Sequence, residues 1–555
     1  MNAQVGITGS FSRKRVMNIS GKRRTLTLGP GLRTSEKISY EEGAHMDKET
    51  NDQQRPKVIL TGASGYIGHN LMQKLIEDYD VIALSRHGDS HEDEEHVEWR
   101  SCDFYSMDDA QESLQGADYA FYLIHSMMPT AKLTQGDFED MDAILADHFA
   151  RAARKNGVKQ IVYLSGIVPD DVPEEELSRH LRSRLEVQRI LESSGVPVTT
   201  IRAGLIVGPQ GSSFPILYKL VQRLPIMTLP TWTRTKTHAV ALDDVLNSLK
   251  NSLGNEDVKG RAVDVGGPDV MSYKEMMQQM AEVLEVKRRF IDLPLLTVNL
   301  SRLWVTLVTG APREMAYPLI ESLIHPMVAH SDLKVEGISD GKITFKQAAR
   351  DSLEEEKKKQ EDAERKQRES SRNEESKPTQ SEEKVAKADV RSVQRVTLPE
   401  GKDARWAGEY YIQWLGKAML RPFIRTETGE DGVSRIYIRF FSKPILELSY
   451  DASRSSHDRA VYRITGGMFA NAKDAHHGRL EFLMIPGSSD CVVAIHDYMP
   501  SMPWFLYKYT QAKLHLVVMY AFRKHLERKG SLGKSSTSKK AGGSVGTPSS
   551  LEAKS

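Results

Sequence analysis

The sequence predicts an α/β domain built on a doubly wound parallel sheet, followed by a smaller α+β domain. From Pro56 to about residue 345, short β-rich runs alternate with stretches of helical periodicity, as in parallel strands joined by crossover helices. Residues 346–405 then contain no Phe, Trp or Tyr. From Trp406 aromatic residues return with several β-type runs and one long amphipathic helix. The 555 residues therefore contain two folded domains and a polar connection.

Composition excludes several classes of protein. The 76 Lys and Arg balance 75 Asp and Glu to a net charge of +1, so no overall field attracts nucleic acid or an anionic membrane. Two cysteines, Cys102 and Cys491, cannot form a disulfide framework and suit a reducing, cytoplasmic compartment. The most apolar stretch, 290–310, contains Asp292 and Arg302, so it predicts a buried segment and no transmembrane span.

The first domain shows its elements in order. The predicted strands are 57–61, 80–85, 119–125, 160–165 and 198–201. A helix is predicted over 137–155, closed by Asn156-Gly157 as a left-handed cap. Together they predict a sheet covered by helices.

The remaining segments set the domain boundaries. Residues 1–55 are expected to be a disordered extension: either a transit peptide, or sequence before a true start at Met46. We expect the first domain over 56–345, a charged and partly helical linker over 346–400, the second domain over 401–529 and a flexible tail over 530–555.

A glycine-rich turn is the clearest functional signal. The strand Val58-Ile59-Leu60 is followed by TGASGYIG and a helix. Gly62 permits the tight turn, Gly65 lets the backbone approach a pyrophosphate, and Gly68 lets the helix pack closely on the strand. The helix N-terminus supplies free N–H groups to the phosphates. This Rossmann-type pattern predicts a nicotinamide-dinucleotide site formed by the residues Gly62, Ser64, Gly65, Tyr66, Ile67 and Gly68.

The end of the second strand indicates which cofactor is bound. An NAD site places Asp or Glu there, but this chain has Arg86. Its guanidinium can bind a 2′-phosphate, so the sequence favours NADP(H) over NAD(H), unless Arg86 is only a solvated surface residue. Asp103 is in place to meet the adenine or, alternatively, to cap the next helix.

Residues 57–345 resemble the short-chain dehydrogenase/reductase superfamily, in its extended or atypical branch of epimerase-like and NmrA-like proteins. The resemblance rests on TGASGYIG, on Ser165 at the end of the strand 160–165 and on IRAGLIVGP at 201–209. Two further segments, FYLIHSM at 121–127 and HLRSR at 180–184, are similar to a bacterial subgroup of NAD(P)H-binding proteins that often carry an appended domain.

The resemblance also suggests catalytic residues, with one departure. Active members use a Tyr-x-x-x-Lys pair, whereas His180 and Arg184 occupy those positions here. His180 would then serve as the acid, Arg184 would bind the cofactor ribose, and Ser165 would hold the substrate carbonyl. An imidazole acid predicts a rate that falls as the pH rises through about 6.5. The alternative is that the pair only closes the pocket. His125, at the end of the strand 119–125, is a pocket residue or a loop histidine.

The second domain resembles the helix-grip fold of START-like proteins. Its predicted strands, which include 435–441 and 491–498, precede a helix with an apolar stripe from Phe505 to Leu526. Such folds often enclose a cavity for a hydrophobic ligand. His496 to Pro500 would line its mouth, unless the core is fully packed.

The expected function is NADP(H)-dependent reduction of a carbonyl, enone or quinone of a hydrophobic small molecule. The alternatives are a non-catalytic NADP(H) sensor and a lipid-binding adaptor with a structural nucleotide. No nucleic-acid partner is expected, and no metal site, since HExxH and CxxC spacings are absent from the sequence.

Overall fold

The computed structural model describes residues 55–127, 134–293, 297–372, 390–419, 423–469, 478–498, 509 and 511–541. The chain divides into two units, residues 1–54 and residues 55–555, and every element below belongs to the second. The predictions for the N-terminal extension, for Met499 and Pro500, and for most of the C-terminal tail lie outside the described residues.

The first domain contains a seven-stranded parallel sheet, which confirms the predicted Rossmann-type architecture. The strand order is β12-β7-β6-β4-β1-β2-β3. The strands are β1 (Lys57–Thr61), β2 (Asp80–Ser85), β3 (Val97–Ser101), β4 (Tyr119–Tyr122), β6 (Gln160–Gly166), β7 (Val198–Ala203) and β12 (Ala262–Val265). Val58, Ile59 and Leu60 are fully buried, because helices cover both faces of the central strand.

Helices and short strands complete this domain. The helices are α1 (Tyr66–Leu75), α2 (Met107–Ser113), α3 (Phe138–Lys155), α4 (Arg179–Ser193), α5 (Phe214–Arg223), α6 (Leu242–Ser252), α7 (Tyr273–Val283), α8 (Val298–Thr309), α9 (Arg313–Ser322) and α10 (Phe345–Arg372). Three short strand pairs join β8 (Ile206–Val207) to β11 (Val240–Ala241), β9 (Ile226–Leu229) to β14 (Arg289–Asp292) and β10 (Lys236–His238) to β13 (Val270–Ser272).

The apolar stretch 290–310 is less buried than its composition predicts. It forms β14 and α8, and Leu307 is 83% exposed on α8. The helix packs through the side that carries Ser301 and Val305, so its opposite side has no covering layer among the described residues. Within the described part of the chain, no helix has the length and apolar character needed to cross a membrane.

An eight-stranded, mostly antiparallel sheet forms the second domain, with the order β16-β17-β18-β19-β20-β21-β15-β5. Its strands are β5 (Thr134–Gln135), β15 (Val390–Thr397), β16 (Ile424–Thr428), β17 (Val433–Ile438), β18 (Leu446–Tyr450), β19 (Arg459–Gly466), β20 (Arg479–Met484) and β21 (Asp490–Tyr498). Two helices, α11 (Ala404–Trp414) and α12 (Gln511–Ala541), pack on one face. The helix-grip assignment stays a prediction.

The long closing helix follows its predicted stripe only in part. Met519, Phe522 and Leu526 are buried in the core of the second domain, whereas Tyr509 is 62% exposed. The helix also continues to Ala541, into the span assigned to the flexible tail.

The charged connection contains more structure than expected. Helix α10 begins with Phe345, Ala348 and Ala349 buried against the first domain, and its exposed part follows. Strand β15 lies inside the predicted linker at 346–400, so the second sheet begins before residue 401. Val393 and Val396 lie on opposite faces of β15. Both are buried because β15 is an inner strand with a layer on each face.

The two predicted domains share a hydrophobic core. The second sheet turns its other face to α3, and Phe149 of α3 lies in one cluster with Val393, Leu483 and Val492. Strand β5, which precedes α3, pairs in parallel with β15 and so extends the second sheet into the first domain. Helix α3 is therefore covered on both sides.

Candidate functional site

A cleft of about 700 Å³ lies at the carboxyl ends of β1, β2 and β4. From β1 the chain winds outward through β2 and β3 on one side and through β4, β6, β7 and β12 on the other. Doubly wound sheets bind ligands where the strand order reverses in this way. The fold itself thus places the ligand site at the glycine-rich turn.

The glycine-rich turn forms one wall of the cleft. Gly62 adopts φ +67°, a conformation that favours glycine, and Gly62, Ser64 and Gly65 line the cleft. Gly68 does not line it. A Cβ at Gly68 would lie 2.2 Å from the Gly62 carbonyl oxygen, so this glycine serves helix–strand packing. The first part of the turn therefore faces the cleft, whereas Gly68 allows the helix to pack on the strand.

Tyr66 and Ile67 were predicted to bind the cofactor, but neither lines the cleft. The Tyr66 ring lies against Gly208, and the Lys359 Nζ lies 5.8 Å from the ring centroid. Ile67 packs against the core between the sheet and α6. Tyr66 and Ile67 are the first two residues of α1.

Arg86 lies where β2 ends, on the wall of the cleft beside Ser85 and His87. Its side chain is exposed, and it forms no hydrogen bond or ion pair with any residue that the structure describes. An arginine that is free at the rim of a nucleotide-sized cleft can pair with a phosphate. The Ser64 and Ser85 hydroxyls lie 3.4 Å apart on the same wall.

Asp103 also lines the cleft, and its carboxylate pairs with Arg391 from β15. The Arg391 guanidinium lies 4.3 Å from the centroid of the Tyr105 ring. The alternative role of Asp103 as a helix cap is wrong, because the Ser106 side chain caps α2 through the Asp109 N–H. The second sheet therefore contributes a cationic residue to the cleft.

The three predicted catalytic residues lie outside the cleft lining. Ser165 is buried in β6, and His180 is partly buried at the start of α4. Arg184 is 7% exposed, and its Nη2 lies 2.9 Å from Asp142 Oδ2 on α3. Its assignment to the cofactor ribose is therefore corrected: Arg184 neutralises a buried carboxylate.

The protonation of His180 also differs from the expectation. Burial, together with the positive charge of Arg184 and the neighbouring His125, lowers the pKa of His180 to about 3. An imidazole with this pKa is neutral at physiological pH, so it cannot act as a cationic acid that titrates near 6.5. The predicted pH profile has no physical basis at this residue.

His125 lines the cleft, as does His87. The side chain of His125 is exposed there, and desolvation by the neighbouring protein together with the positive charge of Arg184 lowers the pKa of His125 to about 4. The neutral ring carries one N–H and one lone pair. It can donate a hydrogen bond to a substrate oxygen without carrying a charge.

The cleft lining extends beyond the glycine-rich turn and is mixed in character. Phe138 and Met141 of α3 and Tyr317 and Pro318 of α9 supply its apolar and aromatic side chains, and Arg179, Arg313 and Glu314 supply charged ones. These residues, and Arg391, were not predicted as site residues, because they come from distant elements and carry no local motif.

Comparisons with known proteins agree with this location. Residues 62–221 match the family model described as NAD(P)H-binding. The chain is 32% identical over 127 residues to the auxiliary protein GraX of Staphylococcus aureus, which covers 23% of this chain and 41% of that protein. The chain thus spans less than half the length of this curated relative.

Solved structures to which the chain is similar include three enzymes. A nucleoside-diphosphate-sugar epimerase from Staphylococcus aureus is 15% identical, covering 53% of this chain and 99% of its own, with a TM-score of 0.42. An NADPH-dependent quinone oxidoreductase complexed with NADPH from Escherichia coli is 16% identical, covering 53% and 98%, with a TM-score of 0.42. A triphenylmethane reductase from Citrobacter sp. complexed with NADP(H) is 16% identical, covering 54% and 99%, with a TM-score of 0.41.

Proposed function

We propose that the chain is an NADP(H)-dependent oxidoreductase that reduces a carbonyl, enone or quinone of a hydrophobic small molecule. The observation that carries this proposal is the cleft, with the glycine-rich turn and the free Arg86 on its wall. The NAD(P)H-binding family match covers the same turn.

The residues present fit the cofactor. The positive φ of Gly62 brings the turn under the N-terminus of α1, whose N–H groups favour a pyrophosphate. Arg86 would hold a 2′-phosphate, and Ser64 lies beside it on the same wall. When bound, the reduced nicotinamide supplies a hydride.

The chain's own residues would orient the substrate. The walls of Phe138, Met141, Tyr317 and Pro318 exclude water from an apolar molecule. The neutral His125 would donate a hydrogen bond to the substrate oxygen as negative charge develops there. His180, Arg184 and Ser165 would act as scaffold behind this wall.

A second candidate function is a non-catalytic NADP(H) sensor. It is favoured by the contact of Arg391 with Asp103, since a nucleotide in the cleft would touch a residue of the second sheet. In that case binding would alter the second domain and no hydride would be transferred.

Binding and turnover separate these functions. Purified protein is titrated with NADPH and NADH by intrinsic fluorescence, and NADPH oxidation is followed at 340 nm with a panel of quinones, enones and ketones. Turnover supports the reductase, and tight binding without turnover supports the sensor.

Gly65→Val should abolish binding, because its side chain would fill the space through which the backbone approaches the pyrophosphate. Absence of binding in the unaltered protein would refute both functions. Mass spectrometry of small molecules that co-purify with the chain identifies the cofactor independently.

A further inference from the structure

A buried polar cluster lies where α3 meets the second sheet. It consists of His148 on α3, Glu481 on β20 and His496 on β21, each no more than 1% exposed. His148 Nε2 lies 3.1 Å from Glu481 Oε2, and His496 Nε2 lies 3.8 Å from the same oxygen. One donor atom from each side chain lies within 4.8 Å of the other two. The predicted position of His496 at a ligand-cavity mouth is therefore corrected, since the residue faces the first domain.

The orientation of His148 is set by the backbone. Its Nδ1 lies 2.8 Å from the Phe104 carbonyl oxygen, which can only accept a hydrogen bond. Nδ1 must therefore carry the hydrogen, and Nε2 is turned toward Glu481. Histidines that bind metals are commonly held in this way by a carbonyl on the other ring nitrogen.

His496 lacks the partners that a buried imidazole needs. Neither of its ring nitrogens has a hydrogen-bond partner among the described residues, although the side chain is 0% exposed. Burial of an unpaired polar group is costly, and most such groups are satisfied by a partner, a water or an ion. The ring lies beside Glu481, so a ligand between them would satisfy both.

Glu481 divides its two carboxylate oxygens between an arginine and the two histidines. Arg459 Nε lies 2.7 Å from Glu481 Oε1, which leaves Oε2 toward the histidines. The Arg459 charge is in turn balanced by Asp147, 3.4 Å from its Nη1.

We propose that His148, Glu481 and His496 bind a divalent transition-metal ion of the zinc class, which joins α3 of the first domain to the second sheet. A set of two imidazoles and one carboxylate favours ions of the zinc class over Mg²⁺ or Ca²⁺, which prefer oxygen ligands. All three side chains are buried, so a bound ion would lie away from bulk solvent. None of the three lines the cleft, although Phe104 and Tyr105 of its wall contact His148 and His496. The site does not depend on the proposed reductase activity.

The metal content of the full chain tests this proposal. Protein without an affinity tag is purified and analysed by inductively coupled plasma mass spectrometry. We expect about one equivalent of zinc, iron or manganese per chain, and a loss of most of it in His148→Ala and in His496→Ala. His525→Ala is the matched control, since His525 lies on α12 and contacts Tyr410 away from the cluster.

A second measurement covers variants that fail to fold. The unaltered chain is stripped with a chelator and its thermal unfolding is followed with added Zn²⁺, Mn²⁺ or, without oxygen, Fe²⁺. The proposal expects the melting temperature to rise with one of these ions. It is overturned if the purified chain holds no metal and no ion raises the melting temperature, or if folded His148 and His496 variants keep the full metal content.

Discussion

Arg86 is the residue on which the choice of cofactor depends. It is exposed at the wall of the cleft, and its guanidinium is free of described partners. Asp103, the other polar side chain predicted for the nucleotide, is already paired with Arg391. The selectivity between NADPH and NADH is therefore expected to come from Arg86.

Arg86→Asp should weaken NADPH binding by about 10-fold or more, because a charge-assisted hydrogen bond is lost and a carboxylate repels the 2′-phosphate. NADH binding should be unchanged or tighter. Dissociation constants of both nucleotides measure this effect. Arg289→Asp is the control, since Arg289 is also exposed but lies on β14 away from the cleft. Equal dissociation constants of NADPH and NADH in the unaltered protein would contradict the assignment.

His180 should make the stability of the protein sensitive to acid. Its pKa is about 3 in the folded chain and about 6.5 when unfolded, so between these values only the unfolded state binds the proton. The free energy of unfolding should therefore fall as the pH decreases from 6.5, by at most about 1.4 kcal/mol per pH unit from this residue. Urea unfolding at several pH values measures the slope.

His180→Gln should reduce that slope, whereas His457→Gln, at an exposed position, should leave it unchanged. The same argument predicts that the rate of reduction does not depend on the protonation of His180 near pH 6.5. His180→Gln should therefore leave the pH profile of that rate unchanged around this pH. An identical pH dependence of stability in His180→Gln and the unaltered chain would show that the ring is protonated in the folded state.

At the scale of the elements, α3 is the helix that holds the two sheets together. Its buried acidic residues each meet an arginine: Glu139 meets Arg179, Asp140 meets Arg395, Asp142 meets Arg184 and Asp147 meets Arg151. Arg395 comes from β15 and also binds Glu186 of α4. A helix that is buried on both sides keeps its carboxylates only if a cation accompanies each one.

Arg395→Met should lower the free energy of unfolding by about 3 kcal/mol or more, because Asp140 and Glu186 would remain as buried, unpaired carboxylates. Chemical denaturation measures the loss. The matched control is Arg435→Met, which removes surface ion pairs with Asp431 and Glu447 and should cost much less. Similar losses in both variants would mean that the α3 interface contributes little.

At the scale of the whole molecule, the two sheets form one continuous assembly despite the charged connection. Phe149 and Val393 share a core, and β5 and β15 are paired across the boundary. Cleavage of the connection should therefore leave the two parts bound to each other, whereas two independent domains on a flexible linker would separate.

Limited trypsin digestion should cut the chain between residues 357 and 388, since α10 is exposed from Lys357 to Arg365 while its first turn is anchored by Phe345 and Ala349. The two fragments should then co-elute in size-exclusion chromatography and separate only in denaturant. Elution of two folded fragments at their individual sizes would disprove the shared core.

The sequence by itself determined the parallel sheet and the position of the glycine-rich turn. These features rest on local causes: short continuous apolar runs, a helix that follows at once, and a positive φ that Gly62 adopts readily. The boundaries of β1 and β2 follow the predicted ones for the same reason. The backbone preference and the burial pattern of such an element depend on residues that are close together in the sequence.

Only the tertiary structure decided what surrounds that turn. Arg184 is directed to Asp142, Arg391 reaches Asp103 from β15, and His148 meets Glu481 across 333 positions of sequence. The partner of a charged side chain depends on which layers pack together, and packing of α3 between two sheets is a long-range outcome. A residue's type and spacing show which chemistry it can perform, whereas the neighbours that shift its pKa and occupy its hydrogen bonds are set by the fold.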